Sequence, residues 1–234
     1  MAAGLTFAPI RGKRMRITRL DECGAPVVGP ATTRVSKGFV SVGLSPQYED
    51  GETVTIKDAD GDIDINEPAD SRLTAMSAEI AFTRVDPDLV SLITGNQTIV
   101  DAAARGVGFR MDGGIPVLGG WALEVWTGIG GQECAGLANF GYTLLPFLRG
   151  GKIGDFTIED GAASFSISST TRENSQWGAG PYDVVHTVAG ANGGAPTVPG
   201  PLLTEVGPKT HFHLQITSVA PPEVTEGLVA LAAA

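Results

Sequence analysis

The chain carries little that would staple it, anchor it or tie it to a cofactor. Two of its 234 residues are cysteine, Cys23 and Cys134; they make no disulfide framework and neither sits in a CxxC. No run of 18 apolar residues occurs, which excludes a membrane-spanning helix. Met1 to Ile10 lacks a basic start followed by an apolar stretch, so no secretory leader is expected. Charged residues make up only 18%, and basic ones are the scarcer kind: 16 Lys and Arg against 26 Asp and Glu, a net charge of −10. A protein that grips nucleic acid by its phosphates needs a basic face, and this balance argues against one.

Glycine is what the chain has in excess. Its 32 glycines and 15 prolines are together a fifth of the residues, too many for a helical bundle. They follow no G-X-Y period, so collagen is excluded. The composition predicts a soluble, β-rich chain made in the cytosol and large enough to bury one core. The charge is split along it. Residues 1–34 hold six Lys and Arg against two acids, 35–105 five against thirteen, and 106–234 five against eleven. Arg11, Lys13, Arg14, Arg16 and Arg19 are the one basic cluster. On a strand they make a solvated face; the split also predicts an opposite-charge contact between copies.

Alternation of strand type runs through most segments. Met15 and Ile17 oppose Arg14, Arg16 and Thr18, and Val35 to Leu44 is a longer mixed run. Met76, Ala78, Ile80 and Phe82 alternate with Ser77, Glu79 and Thr83; Trp121, Leu123 and Val125 alternate with Ala122, Glu124 and Trp126. Phe156 and Ile158 lead into Glu159-Asp160-Gly161 and then Phe165 and Ile167, a hairpin signal. Phe212, Leu214 and Ile216 mark a last strand. A helix is predicted over about 86–95, with Asp86 as N-cap, Pro87 at the first position, Asp88 at the positive end and Gly95 as the stop. Tyr142 to Arg149, interrupted by Pro146, reads as a second short helical segment.

Two stretches read as long projecting loops. Residues 45–72 hold nine acids, and Thr53 to Lys57 pairs with Ile63 to Asn66 across Asp60-Gly61 to form an acidic hairpin. Residues 174–208 are rich in Gly and Pro with almost no apolar period. Loops of that length usually act or order on a partner. The expected fold is mainly β, a β-sandwich or barrel in one domain spanning 1–234, with one flanking helix and these two loops. Thr225 to Ala234 reads as a short docking helix or a frayed tail.

Candidate chemistry is thin. Asp58, Asp60, Asp62 and Asp64 offer the oxygens a hard cation wants, but the glycine is fourth in the run rather than sixth and the flanks are strands, so a solvated hairpin tip is the plainer reading. His211-Phe-His213 has a metal-binding spacing, with His186 as the one further histidine. No G-x-S-x-G elbow and no P-loop is present. No enzyme and no cofactor are expected.

Resemblance adds what this chemistry lacks. Arg16-Ile-Thr-Arg-Leu-Asp-Glu-Cys-Gly-Ala-Pro-Val27, Phe39-Val-Ser-Val42, the acidic hairpin with Asn66-Glu67-Pro68, and Val85-Asp-Pro-Asp-Leu-Val-Ser-Leu-Ile-Thr-Gly95 follow one another in order. This set, over about residues 13–95, resembles the major tail (tail tube) proteins of long-tailed actinobacterial phages. The resemblance implies a virion structural protein, assembled in the host bacterial cytoplasm into stacked homohexameric rings. They form a tail tube through which DNA passes without specific binding. It implies tape measure, tail terminator and distal tail proteins as partners, and no membrane. In that family a long loop after the second strand contacts the adjacent ring. Here it corresponds to 45–72, so Asp58, Asp60, Asp62 and Asp64 are expected to contact the next ring, against Arg14, Arg16 or Arg19. The alternatives are a tail terminator, which stops at one ring, and a calcium-dependent β-sandwich binding module. The latter would use the same four aspartates with surface Trp126 or Trp177.

Overall fold

Apolar residues at every second position build most of this chain into strands. The computed structural model describes residues 6–113, 119–130, 139–155, 165–188 and 197–232. The described strands are β1 (Pro9–Leu20), β2 (Gly29–Ser36), β3 (Phe39–Asp50), β4 (Val54–Lys57), β5 (Ile63–Glu67), β6 (Ser71–Phe82), β7 (Gln97–Val100), β8 (Gly106–Arg110), β9 (Gly120–Ile129), β10 (Phe140–Ile153), β11 (Phe165–Thr171), β12 (Val185–Val188), β13 (Thr197–Gly200), β14 (His213–Thr217) and β15 (Val229–Leu231), with helix α1 at Pro87–Thr94. The fold is mainly β, as expected. One antiparallel sheet runs β15-β2-β1-β9-β10-β11-β6-β3 with β14 added to β10, and β4-β5, β7-β8 and β12-β13 are separate hairpins.

Strand β10 joins two halves of the sheet. One of its edges pairs with β9; the other pairs with β14 over Phe140–Leu144 and with β11 over Leu148–Ile153. The exchange of partners falls at Pro146, where the register against β9 shifts between Leu145 and Leu148. Proline has no N–H for the ladder and is tolerated at such a bulge. The helical reading of Tyr142 to Arg149 is therefore corrected: these residues are strand, buried on both faces. The mixed run from Val35 to Leu44 likewise divides at Lys37-Gly38 into the end of β2 and the start of β3.

The first core joins β1, β6, β9, β10 and β11 through Met15, Ile17, Ile80, Leu123, Leu145 and Ile167, and α1 seals it with Leu89, Val90 and Ile93. Helix α1 forms where the sequence places it. The Asp86 carboxylate accepts the Leu89 N–H at 3.2 Å, and Gly95, at φ 74°, returns its N–H to Ser91.

The second core covers the opposite face of β1, β9 and β10. Leu20, Ala122, Trp126, Tyr142, Leu144 and Phe147 meet Trp177, Val184, Val185, Leu202 and Val206. The described parts of the stretch expected to project, 174–188 and 197–208, thus fold back as a cover, and their apolar anchors are too irregularly spaced to show a period. Trp126 and Trp177 are buried in it, at 1% and 4% exposure, not surface residues. The C-terminal segment is neither helix nor frayed over its described part, because β15 pairs with β2. Arg34 fixes its approach, donating to the carbonyls of Thr225 and Gly227 while pairing with the N-cap Asp86. The hairpin expected across Asp160-Gly161 and the position of Cys134 lie outside the described residues.

Candidate functional site

The acidic hairpin forms with the predicted strands. Val54 opposes Glu67, Thr55 opposes Asn66, and Ile56 opposes Ile65. It stands at the end of a longer ladder, because β3 and β6 stay paired out to Asp50 and Ser71. Together they form an arm on which every residue from Ser45 to Pro68 is exposed.

The tip is shaped by one aspartate. Asp58 Oδ1 accepts the N–H groups of Asp60 at 3.0 Å and Asp62 at 2.9 Å, and Gly61 takes φ 91°. The same five-residue turn recurs twice. Asp21 caps Cys23 and Ala25 with Gly24 at φ 83°, and Asp101 caps Ala103 and Arg105 with Ala104 at φ 58°. The backbone N–H of Arg105 and then its guanidinium hold the Asp101 carboxyl below the ordinary carboxylate range. All four aspartates are exposed, but Asp58 is engaged through Oδ1 in its own turn. Among the described residues no group of three His, Cys, Asp or Glu is placed to hold a metal ion.

Sequence reasoning picked out the acids of the arm and missed its apolar residues. Val54, Ile56, Ile63 and Ile65 are exposed by 49%, 49%, 61% and 47%, and Tyr48 lies exposed nearer the root. Ile56 and Ile65 are directly opposed and so share a face with Val54. The signal was available: two alternating aliphatic pairs in a hairpin, to which no third strand is added among the described residues. An exposed cluster of this kind marks an interaction surface.

The three arginines expected to meet those acids have separate fates. Arg14 is half-buried near the open end of β1, beside exposed Arg11 and Lys13, and Arg19 is exposed towards its other end. Arg16 is not a surface residue. It is 7% exposed and binds Glu124 through two nitrogens, at 2.5 and 2.6 Å. The expectation that Arg16 contacts a neighbouring ring is corrected, because its charge is consumed inside the subunit. Period-2 alternation put Arg16 opposite the core-facing Met15 and Ile17; what it hid is that this second face is also buried, under residues 174–188 and 197–208.

Around that pair lies a polar network. Tyr142 donates to Glu124 at 2.8 Å, the Arg16 guanidinium lies 3.3 Å from the Tyr182 ring centroid, and the Tyr182 hydroxyl joins Thr18 and Thr33 at 2.8 and 2.9 Å. Burial works to lower the Arg16 pKa, and the charge and hydrogen bonds of Glu124 more than reverse that, leaving it raised. Burial, reinforced by the Glu124 charge, pushes the Tyr142 phenol well up; burial also raises Tyr182, against the pull of Arg16.

The remaining chemistry is sparse. An open hollow of about 840 Å³ between the start of α1 and the C-terminal segment is lined by charges of both signs, among them Lys37, Arg84, Asp88 and Glu226. His186 Nδ1 lies 2.6 Å from Ser218 Oγ, but among the described residues no carboxylate pairs with that imidazole. His211 and His213 do not share a site. His211 is buried against Thr171, and His213 meets Gln215. No protein-family model matches the chain, and no curated protein matches it.

Proposed function

We propose that this chain is a structural, self-assembling subunit of a phage tail tube: homohexameric rings stacked into a conduit for DNA, without catalysis. The observation that carries the reading is the pairing of a fully exposed arm with an uneven charge map. Residues 39–82, which hold β3, the arm and β6, carry two Lys and Arg against ten acids, while residues 9–37, which hold β1 and β2, carry seven against two. In the sheet order β6 and β3 end one side, while β2 and β1 lie towards the other, inside the short β15. A molecule whose complementary surfaces differ associates head to tail, and such contacts close into rings or run on as filaments.

The acidic balance suits the conduit as well, since a basic lumen would hold the phosphates that must slide past. The ordered resemblance over residues 13–95 supports the tail-tube family. Sedimentation of the purified protein over a salt series tests the reading. Large species at low salt that dissociate as salt rises support it. A monomer at every salt and protein concentration overturns it.

A further inference from the structure

Strand β2 does not accompany β1 along its whole length. It pairs from Met15 to Thr18, whereas β9 pairs with β1 from Pro9 onward. Over Pro9–Arg14 the edge of β1 away from β9 therefore has no strand paired with it among the described residues, although the Phe39 ring at the start of β3 packs against Gly12. An open edge presents unpaired N–H and C=O groups and is a template for another strand. This one is basic and irregular: Arg11, Lys13 and Arg14 lie on it, Arg11 holds φ 51°, and the register slips on both sides of Gly12. Among the described residues none of these three cations enters an ion pair. Ile10 beside them is 46% exposed.

The arm offers the matching half. Strand β5, Ile63-Asp-Ile-Asn-Glu67, is paired among the described residues only with β4, so its other edge is also open there. It has five residues, as does the segment Ile10–Arg14, and it sets two exposed isoleucines and two acids against one isoleucine and three cations. Resting on the self-assembly reading, we propose that β5 of one copy adds as a strand to the open edge of β1, at Ile10–Arg14, of a second copy. Backbone hydrogen bonds supply the affinity in such strand addition, and side chains supply the specificity. Asp64 and Glu67 then meet Arg11, Lys13 and Arg14, while Ile63 and Ile65 leave water against Ile10. The contact covers both exposed features at once, an aliphatic hairpin and a basic edge.

The test is a charge exchange read by sedimentation and electron microscopy. Lys13→Glu with Arg14→Glu, and separately Asp64→Lys with Glu67→Lys, should each raise the concentration needed for assembly by about tenfold or more, the equivalent of a contact of roughly 1.4 kcal/mol. All four changes in one chain should restore it. Lys13→Cys with Asp64→Cys, in a Cys23→Ser and Cys134→Ser background, should give a ladder of disulfide-linked oligomers on oxidation. Thermal melting of the monomers checks that every variant folds. If the wild type assembles but the combined variant does not recover and no ladder forms, the strand addition is wrong and self-assembly stands. If the wild type itself never assembles, both readings fall.

Discussion

The Arg16 guanidinium holds Glu124 with two of its nitrogens and lies face-on to Tyr182 at 3.3 Å. One residue of β1 is thus bound both to the central strand β9 and, through Tyr182, to the cover formed by residues 174–188 and 197–208. Only arginine has the planar fork for the first contact and the stacking face for the second. Burying a charge pair is costly, and its hydrogen bonds and its partner are what make the arrangement tolerable.

Removal of one member should therefore be much worse than removal of both. Arg16→Met leaves a carboxylate, 0% exposed, without its counter-ion, and should cost about 3–5 kcal/mol in urea unfolding. Arg16→Met combined with Glu124→Leu should recover most of that loss. Equal destabilisation by the single and double changes would show that the pair is net stabilising in its own right.

The phenols of Tyr142 and Tyr182 give a pH signature. Their folded pKa values are raised by burial, and each phenol is neutral in its protonated form. Their contribution is complete below the unfolded value of about 10 and is lost as pH rises through the folded values. Stability should be flat in this term at neutral pH and fall in alkali. Two of the three tyrosines should form tyrosinate only together with unfolding, followed by ultraviolet absorbance beside circular dichroism.

How much of this was legible depended on whether a strand had one buried face or two. The alternation of Trp121, Leu123 and Val125 with Ala122, Glu124 and Trp126 fixed the facing of β9 correctly. It gave no hint that the second set is also buried, because the cover that buries it is held by Trp177, Val184, Leu202 and Val206 at no regular spacing. Tyr142 to Arg149 misled for a related reason. A strand that is apolar on both faces and broken by proline looks like a short buried helix. The acidic hairpin and α1 were readable because turn and cap residues act locally.

Ala104 occupies the left-handed position that Gly24 and Gly61 fill in the two sister turns. Ala104→Gly should stabilise the protein by about 1 kcal/mol, because the Cβ is what makes that conformation costly. Gly61→Ala should destabilise the arm's turn by a similar amount. Hydrogen exchange at the tip amides would read the second change, and chemical unfolding the first. No gain from Ala104→Gly would mean that the turn relaxes out of this geometry.

The exposed tip carboxylates should matter to assembly and not to folding. Asp60→Lys with Asp62→Lys should block stacking while shifting monomer stability by no more than about 0.5 kcal/mol, as exposed substitutions usually do. Normal-length assemblies with unchanged salt sensitivity would remove the tip from the contact and leave the strand faces of the arm.

Negative-stain electron microscopy of the purified protein, at high concentration and across a salt series, tests the central claim most directly. A tail-tube subunit should give hollow tubes or stacked rings with six-fold end views, most abundant at low salt. Single particles that neither close into rings nor stack under any of these conditions would contradict it.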